Sequence, residues 1–245
     1  MIKVVQTVFN NYTNDSRVLK TANSLSSEGY KVSVVGHHDI NLAKSEIVNG
    51  VKIHRVSFLN RKITKSKISK LIAYIKYIKE ALFYSSETDI IHCNDLNTLP
   101  IGVLIKKFYN KNVKVVYDAH EYETQKNGLH GIDKKLVALL ERYCIKYADQ
   151  VITVSDSIAN EYVRLYGIDK PYVVLNTPLK KKMVKQNLFR DRFNISKKQS
   201  IFLYQGNFGP GRGIEVLLST FKLIESSSVI IFMGYGQLEN NTRTL

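Results

Sequence analysis

Residues 89–124 read DIIHCNDLNTLPIGVLIKKFYNKNVKVVYDAHEYET, and the succession of patterns within them decides the fold. Asp89–Cys93 is a short β-branched run and reads as a strand. Leu96–Tyr109 carries apolar residues at helical spacing, and Val113–Tyr117 is a second strand. Strand, helix, strand in this order is the signature of a parallel α/β sheet. The same alternation extends in both directions. Upstream lie a strand at Ile2–Phe9, a helix at Asp15–Glu28 stopped by Gly29, strands at Val32–Val35 and Val51–Val56, and a long helix at Lys67–Tyr84. Downstream follow a helix at Lys134–Tyr147, a strand at Val151–Val154, a helix at Ser157–Tyr166 and a strand at Tyr172–Leu175. About seven strands then fall within residues 1–175, enough for one complete doubly wound domain. Residues 176–199 are basic and turn-rich, a linker with at most one short helix. A second alternation opens in 200–245: strand Ile201–Gln205, helix Ile214–Glu225 and strand Val229–Met233. One helix and two strands do not cover both faces of a parallel sheet, so this second domain is expected to be incomplete.

The chain has 245 residues, and Lys and Arg (36) outnumber Asp and Glu (21) to give a formal charge of +15. Such a balance favours polyanionic partners, although lysine-rich sequences also arise without one. There is no RNP-like aromatic motif, zinc-finger spacing or helix-turn-helix pattern, so nucleic acid is not the expected partner. No signal peptide or apolar run of about 18 residues occurs, which reads as cytoplasmic. Cys93 and Cys144 lie in apolar stretches and read as small core residues rather than a disulfide or metal site.

Three stretches can carry chemistry. In LYQGNFGPGRGIEVLL, residues 203–218, a strand ends, a loop presents Gly206, Gly209, Gly211 and Gly213, and a helix begins at Ile214. Glycines let backbone N–H groups approach an anion, a helix N-terminus adds positive potential, and Arg212 offers a fork for phosphate oxygens. The dinucleotide fingerprint fails, because Val216 stands where its third glycine belongs. A P-loop fails too: Arg212 and Gly213 replace its Lys and its magnesium-binding Ser/Thr. A diphosphate clamp without metal remains, beside the plainer reading of a glycine-rich β–α turn. In VVYDAHEYET, residues 115–124, Asp118, His120 and Glu121 cluster at the C-terminal end of a central strand, where open α/β sheets bind ligands. In CNDLNTLP, residues 93–100, Asp95 stands between strand and helix and reads chiefly as a helix cap. At the mouth of the first strand, Asp15 caps the first helix, and Arg17 is placed at the ligand edge. Adjacent His37 and His38 with Asp39 lack the geometry for a shared ion, so no metal is expected.

Five segments, in order, resemble glycosyltransferase family 4: NDSRVLKTANSLSSEGYKVSVV, CNDLNTLP, YDAHEYE, ADQVITVSDSIANEY and LYQGNFGPGRGIEVLL. Each alone is weak, but the ordered set spans nearly the whole chain. The resemblance implies the GT-B fold, two Rossmann-like domains that close on a nucleotide-sugar, and a retaining sugar transfer. It matches His120 to the family's histidine near the end of the central strand, expected to be catalytic; Arg17, Asp95, Asp118 and Glu121 are read from their own positions as possible cleft residues. It matches Gly206, Arg212 and Gly213 to the donor-diphosphate loop, and Gly234 and Gly236 to the glycine-rich loop after the second strand of the donor domain. Asn207 stands where the family usually has an additional arginine. The family's E-x7-E acid pair lies beyond Gly236, and no glutamate here is followed by another eight positions later. The reading is therefore of a fragment, an early-stopped product or one half of a split enzyme. It is expected to be inactive by itself and cut first by protease between Lys180 and Lys198.

The implied partners are a nucleotide-sugar donor, which is substrate and not cofactor, and a lipid-linked or oligosaccharide acceptor in surface polysaccharide synthesis. An anionic membrane surface is expected as well. In residues 61–84 the stripe Ile68, Leu71, Ile72, Ile75, Ile78 and Leu82 is read as facing the sheet. That turns Lys67, Lys70, Tyr74, Lys76, Tyr77 and Lys79 outward, next to Arg61, Lys62 and Lys65, for peripheral contact on the inner face of the membrane. A non-catalytic module of the same fold, binding a glycan or a partner subunit, is the alternative.

Overall fold

The computed structural model describes all residues except 57–65, 126–127, 179, 181, 183, 185, 225–226 and 244–245, together with the side chains of 67, 241 and 243. Arg61, Lys62 and Lys65 of the expected membrane segment thus lie outside the described residues, as does the side chain of Lys67. The chain divides into two units, Met1–Pro178 and Leu179–Leu245.

The first unit runs β1 (Lys3–Thr7), α1 (Ser16–Ser27), β2 (Lys31–His37), β3 (Ser45–Val48), β4 (Val51–Val56), α2 (Lys67–Ser85) and β5 (Ile90–Asn94). It continues through α3 (Leu99–Leu104), β6 (Lys114–Ala119), α4 (Gly131–Cys144), β7 (Gln150–Thr153), α5 (Asp156–Tyr166) and β8 (Tyr172–Val173). One sheet results, ordered β3-β4-β2-β1-β5-β6-β7-β8. Every pairing is parallel except that of β3 with β4. The chain starts in the middle, works outward through β2 and β4, then returns through α2 to β5 on the other side of β1. The reversal lies between β1 and β5, and the crevice at such a switch point is where doubly wound sheets bind ligands.

Both faces of the sheet are covered, as parallel strands require. On one face α1 packs Val18 and Ala22 against Val32, Val34, Val51 and Ile53. On the other, Tyr77 and Ala81 of α2, Leu99 and Ile101 of α3, Cys144 of α4 and Tyr162 of α5 join Val5, Ile91, Val115 and Tyr117 of the strands. Gly102 allows α3 to press this closely, because a Cβ there would sit 2.9 Å from both Cys93 Sγ and Val115 Cγ1. Cys93 and Cys144 are buried thiols. Burial pushes the first up to about 12, against hydrogen bonds at Thr7 and Gly102 that pull it down, and the second to about 11. At the far end of the sheet a carboxylate takes the place of an apolar contact. Glu141 is fully buried and accepts hydroxyl hydrogen bonds from Tyr117 (2.7 Å), Tyr162 (2.7 Å) and Tyr166 (2.6 Å). Burial first, with the Glu141 charge adding, raises all three phenols above their ordinary 10, so they remain donors.

Several elements differ from the sequence reading. Strand β3 was not expected; it forms a hairpin with β4 across Asn49 and Gly50, whose φ angles of 52° and 78° are those of a type I′ turn. The helix expected at Leu96–Tyr109 begins only at Leu99, with Thr98 in the capping position, and passes into a π-helical turn at Ile105–Tyr109. Helix α4 starts earlier, at Gly131, and β8 is only two residues long. The rotation of α2 differs in part from expectation: Ile78 and Leu82 pack on the core and Lys70, Lys76 and Lys79 are exposed as read, but Tyr74 and Tyr77 turn inward. Ala73, Tyr77 and Ala81 face the sheet, whereas Ile68, Leu71, Ile72 and Ile75 are exposed. Small residues and a tyrosine bring the helix axis close to the sheet, and the Tyr77 hydroxyl reaches the Val8 carbonyl at 3.0 Å.

The second unit comprises α6 (Leu188–Phe193), β9 (Ile201–Asn207), α7 (Ile214–Leu223), β10 (Val229–Tyr235) and α8 (Glu239–Arg243). Strands β9 and β10 pair in parallel from Val229↔Ile201 to Tyr235↔Asn207, joined by α7 as a βαβ unit.

Candidate active site

The end of β6 carries a dense polar cluster. Asp118 pairs in register with Asn94 of β5, beside the switch point, and is only 2 % exposed. Arg17, in the first turn of α1, forks onto it: Nε donates to Oδ2 at 3.0 Å and Nη2 to Oδ1 at 2.7 Å. The remaining donor, Nη1, reaches the Val174 carbonyl at 2.7 Å. The two neighbouring imidazoles converge on the same carboxylate oxygen, since His92 Nε2 and His120 Nε2 each lie 3.5 Å from Asp118 Oδ2.

His120 is held from both sides. Its Nε2 also lies 3.3 Å from Asn94 Oδ1, its Nδ1 lies 3.5 Å from Asp95 Oδ2, and its backbone N–H donates to Asp95 Oδ1 at 3.3 Å. Burial works against a charged imidazole here, but Asp118 and Asp95 outweigh it, so the His120 pKa rises above its ordinary 6.5. Asp118 shows the converse. Burial pushes its pKa up, yet the His120 and His92 imidazoles at 3.5 Å and the Arg17 fork hold the carboxyl far below the usual carboxylate range. The outcome is an imidazole held between two carboxylates that favour its protonated form.

The expected site residues divide accordingly. His120, Asp118, Asp95 and Arg17 come together, but Arg17 is not a cation waiting at the ligand edge. It is a buried partner of Asp118, because an ionised carboxylate at this depth requires a fork of donors. Asp95 is not the cap of α3. It adopts the left-handed region (φ 63°), which aspartate tolerates, and turns its carboxylate towards His120 instead. Glu121 is exposed. Three participants escaped the sequence reading. His92 lies inside a strand, Asn94 at its end, and buried Glu123 accepts from the Leu96 N–H at 3.4 Å. Asn94 occupies the same strand-end position that singled out Asp118, so that signal was available.

In the second unit β9 ends at the glycine-rich loop. Gly211 and Gly213 both have φ of 75°, and Gly213 is the cap position of α7. Arg212 between them is exposed, and among the described residues no side chain pairs with it. Gly206 and Gly234 face each other in register. A Cβ at Gly234 would lie 1.8 Å from the Gly206 carbonyl oxygen, and one at Gly236 would lie 2.6 Å from that of Phe208. Glycine is therefore required at both for the strand ends to meet.

Comparison with known proteins agrees with this architecture. Among solved structures, sucrose-phosphate synthase from Thermosynechococcus elongatus superposes with a TM-score of 0.72 at 16% identity, over 95% of this chain and 62% of that one. Anabaena HepE in complex with UDP-glucose gives 0.66 at 11%, over 100% and 64%. These likenesses establish the GT-B fold. Among curated relatives, an uncharacterized glycosyltransferase of Methanocaldococcus jannaschii is 24% identical over 89% of this chain and 58% of its own length. Chitobiosyldiphosphodolichol beta-mannosyltransferase of Kluyveromyces lactis is 25% identical over 92% and 55%. The chain thus spans little more than half the length of these relatives. The model of Glycosyltransferase Family 4 matches residues 16–179, a span that holds Arg17, Asp95, Asp118 and His120, and the chain belongs to that family.

Proposed function

We propose that the chain serves a glycosyltransferase that moves a hexosyl group from a nucleotide-sugar to a lipid-linked glycan in surface polysaccharide synthesis, at the anionic inner face of the cytoplasmic membrane. The observation that carries the reading is the loop before α7. There two left-handed glycines flank an exposed arginine at the positive end of a ten-residue helix. In this reading Arg212 and the first N–H groups of α7 stabilise the departing nucleoside diphosphate, so side chain and backbone supply the positive charge that a metal ion supplies elsewhere. Gly206, Gly234 and Gly236 keep the neighbouring strand ends free of side chains. In the first unit His120, held by Asp118 and Asp95, positions the donor sugar or the acceptor. Two similar proteins support the substrate classes: HepE, of the same fold, binds UDP-glucose, and the Kluyveromyces lactis relative is a chitobiosyldiphosphodolichol beta-mannosyltransferase. Charge-assisted hydrogen bonds contribute about 1.5–3 kcal/mol each. Calorimetric titration with UDP or GDP is therefore expected to show at least about tenfold weaker binding for Arg212→Ala. Equal affinity in wild type and variant would overturn the assignment.

A further inference from the structure

Of the two imidazoles at Asp118, only His120 has a part in the function proposed above. The other, His92, stands in the middle of β5 and is 5 % exposed. Its partners in register are Gln6 of β1 and Val116 of β6. Side chains in register on neighbouring strands share a face of the sheet, so Gln6 and Val116 flank His92 and neither brings a charge. Gln6 is fully buried, and among the described residues neither of its amide atoms has a hydrogen-bond partner. Among the described residues the ion-pair partner of His92 is Asp118, with Oδ2 3.5 Å from Nε2.

That carboxylate is already committed. Arg17 of α1 forks onto both of its oxygens, at 3.0 and 2.7 Å, and His120 Nε2 lies 3.5 Å from the same Oδ2 that His92 approaches. Arg17 and Asp118 cancel in charge. Asp95, which follows β5 and lies 3.5 Å from His120 Nδ1, supplies one further negative charge. A single imidazolium therefore brings the cluster to neutrality. A second would leave an excess positive charge in a buried place beside a guanidinium, and like charges around one carboxylate disfavour each other. We infer that His92 and His120 compete at Asp118 for one proton, which makes His92 a positioning residue acting through Asp118 on the charge of His120. A donor sugar or acceptor that meets His120 then meets a site with one imidazolium and not two. The inference rests on the reading of His120 as a site residue, but its test needs neither donor nor acceptor.

The test is NMR titration of the histidine ring signals in the 245-residue chain, wild type and His120→Gln. In wild type the pair is expected to titrate in two steps at least about one pH unit apart, with the signals of each ring moving in both. His120 is half-buried at the end of its strand, so His120→Gln removes the competitor with little disturbance of the core. In that variant His92 is expected to titrate in one step, at least about one unit above the lower wild-type step, which is a tenfold gain in proton affinity. The converse, His120 read in His92→Gln, applies when circular dichroism shows that variant folded. A His92 titration identical with and without His120 overturns the inference. So does a His92 ring that never titrates in His120→Gln, which would leave it a residue of the core. Binding of UDP or GDP at Arg212 bears on neither outcome, so the two readings fail separately.

Discussion

The hydroxyl of Tyr117 lies 2.7 Å from Oε1 of Glu141, and both residues are fully buried. The carboxylate joins three elements, since Tyr117 comes from β6 while Tyr162 and Tyr166 come from α5. Removing it leaves three phenol hydroxyls without an acceptor in a dry place. Glu141→Ala is expected to destabilise the chain by about 3 kcal/mol or more, and Tyr166→Phe, which removes one half-buried donor, by about 1 kcal/mol. Urea unfolding followed by far-UV circular dichroism measures both. Equal midpoints for wild type and Glu141→Ala would show that the network contributes nothing.

Arg17 and Asp118 form a forked pair below the surface, and breaking one side strands the other. Arg17→Ala is expected to cost about 3–5 kcal/mol, and Arg17→Lys is expected to recover only part of it, because an ammonium cannot fork. The pair also makes stability depend on pH. The folded pKa of Asp118 is depressed below its ordinary 3.8, so its contribution is complete above that value and is lost as pH falls through the folded pKa. The stability advantage of wild type over Asp118→Asn should shrink below about pH 4. An advantage unchanged at pH 3 would contradict a charged Asp118.

His120 titrates in the opposite sense. Its folded pKa is raised above 6.5, so the stabilisation is fully present below that value and disappears as pH rises through the folded pKa. Asp95→Asn keeps a residue that tolerates the left-handed backbone while removing one of the two anions. The His120 ring protons, followed by NMR, should titrate at lower pH in that variant than in wild type. An unshifted titration would mean that Asp95 does not orient the charged ring.

The strands and most helices were legible because alternation and helical spacing survive in the sequence. Val4, Ile91 and Val115 sit in runs that only buried strands use. Two kinds of feature were not legible. Helix rotation was misread in α2 because the rule that turns the wider apolar stripe inward fails where alanines and a tyrosine, Ala73, Tyr77 and Ala81, fit the sheet more closely. Helix α4 breaks the same rule, since Glu141 satisfies the core through hydrogen bonds that no periodicity reveals. The hairpin β3–β4 was marked by Asn49-Gly50 and overlooked. In the site, His120, Asp118 and Asp95 could be named because strand ends at a switch point place them. The pairing of Asp118 with Arg17, 101 positions away, follows from topology and cannot be read from local spacing.

The third donor of Arg17 has a consequence for synthesis. It ties α1 to the Val174 carbonyl, 157 residues later, and Lys20 adds hydrogen bonds to Asn176 Oδ1 and the Thr177 carbonyl. The opening helix is thus fastened to the last residues of its own unit. On the ribosome, α1 can meet β1, β2 and β4 early. Its Nη1 lacks this acceptor until residue 174 has left the exit tunnel. Loop closure over so long a separation is slow, so the nascent unit locks late and all at once, and chaperones have a long window in which to bind it.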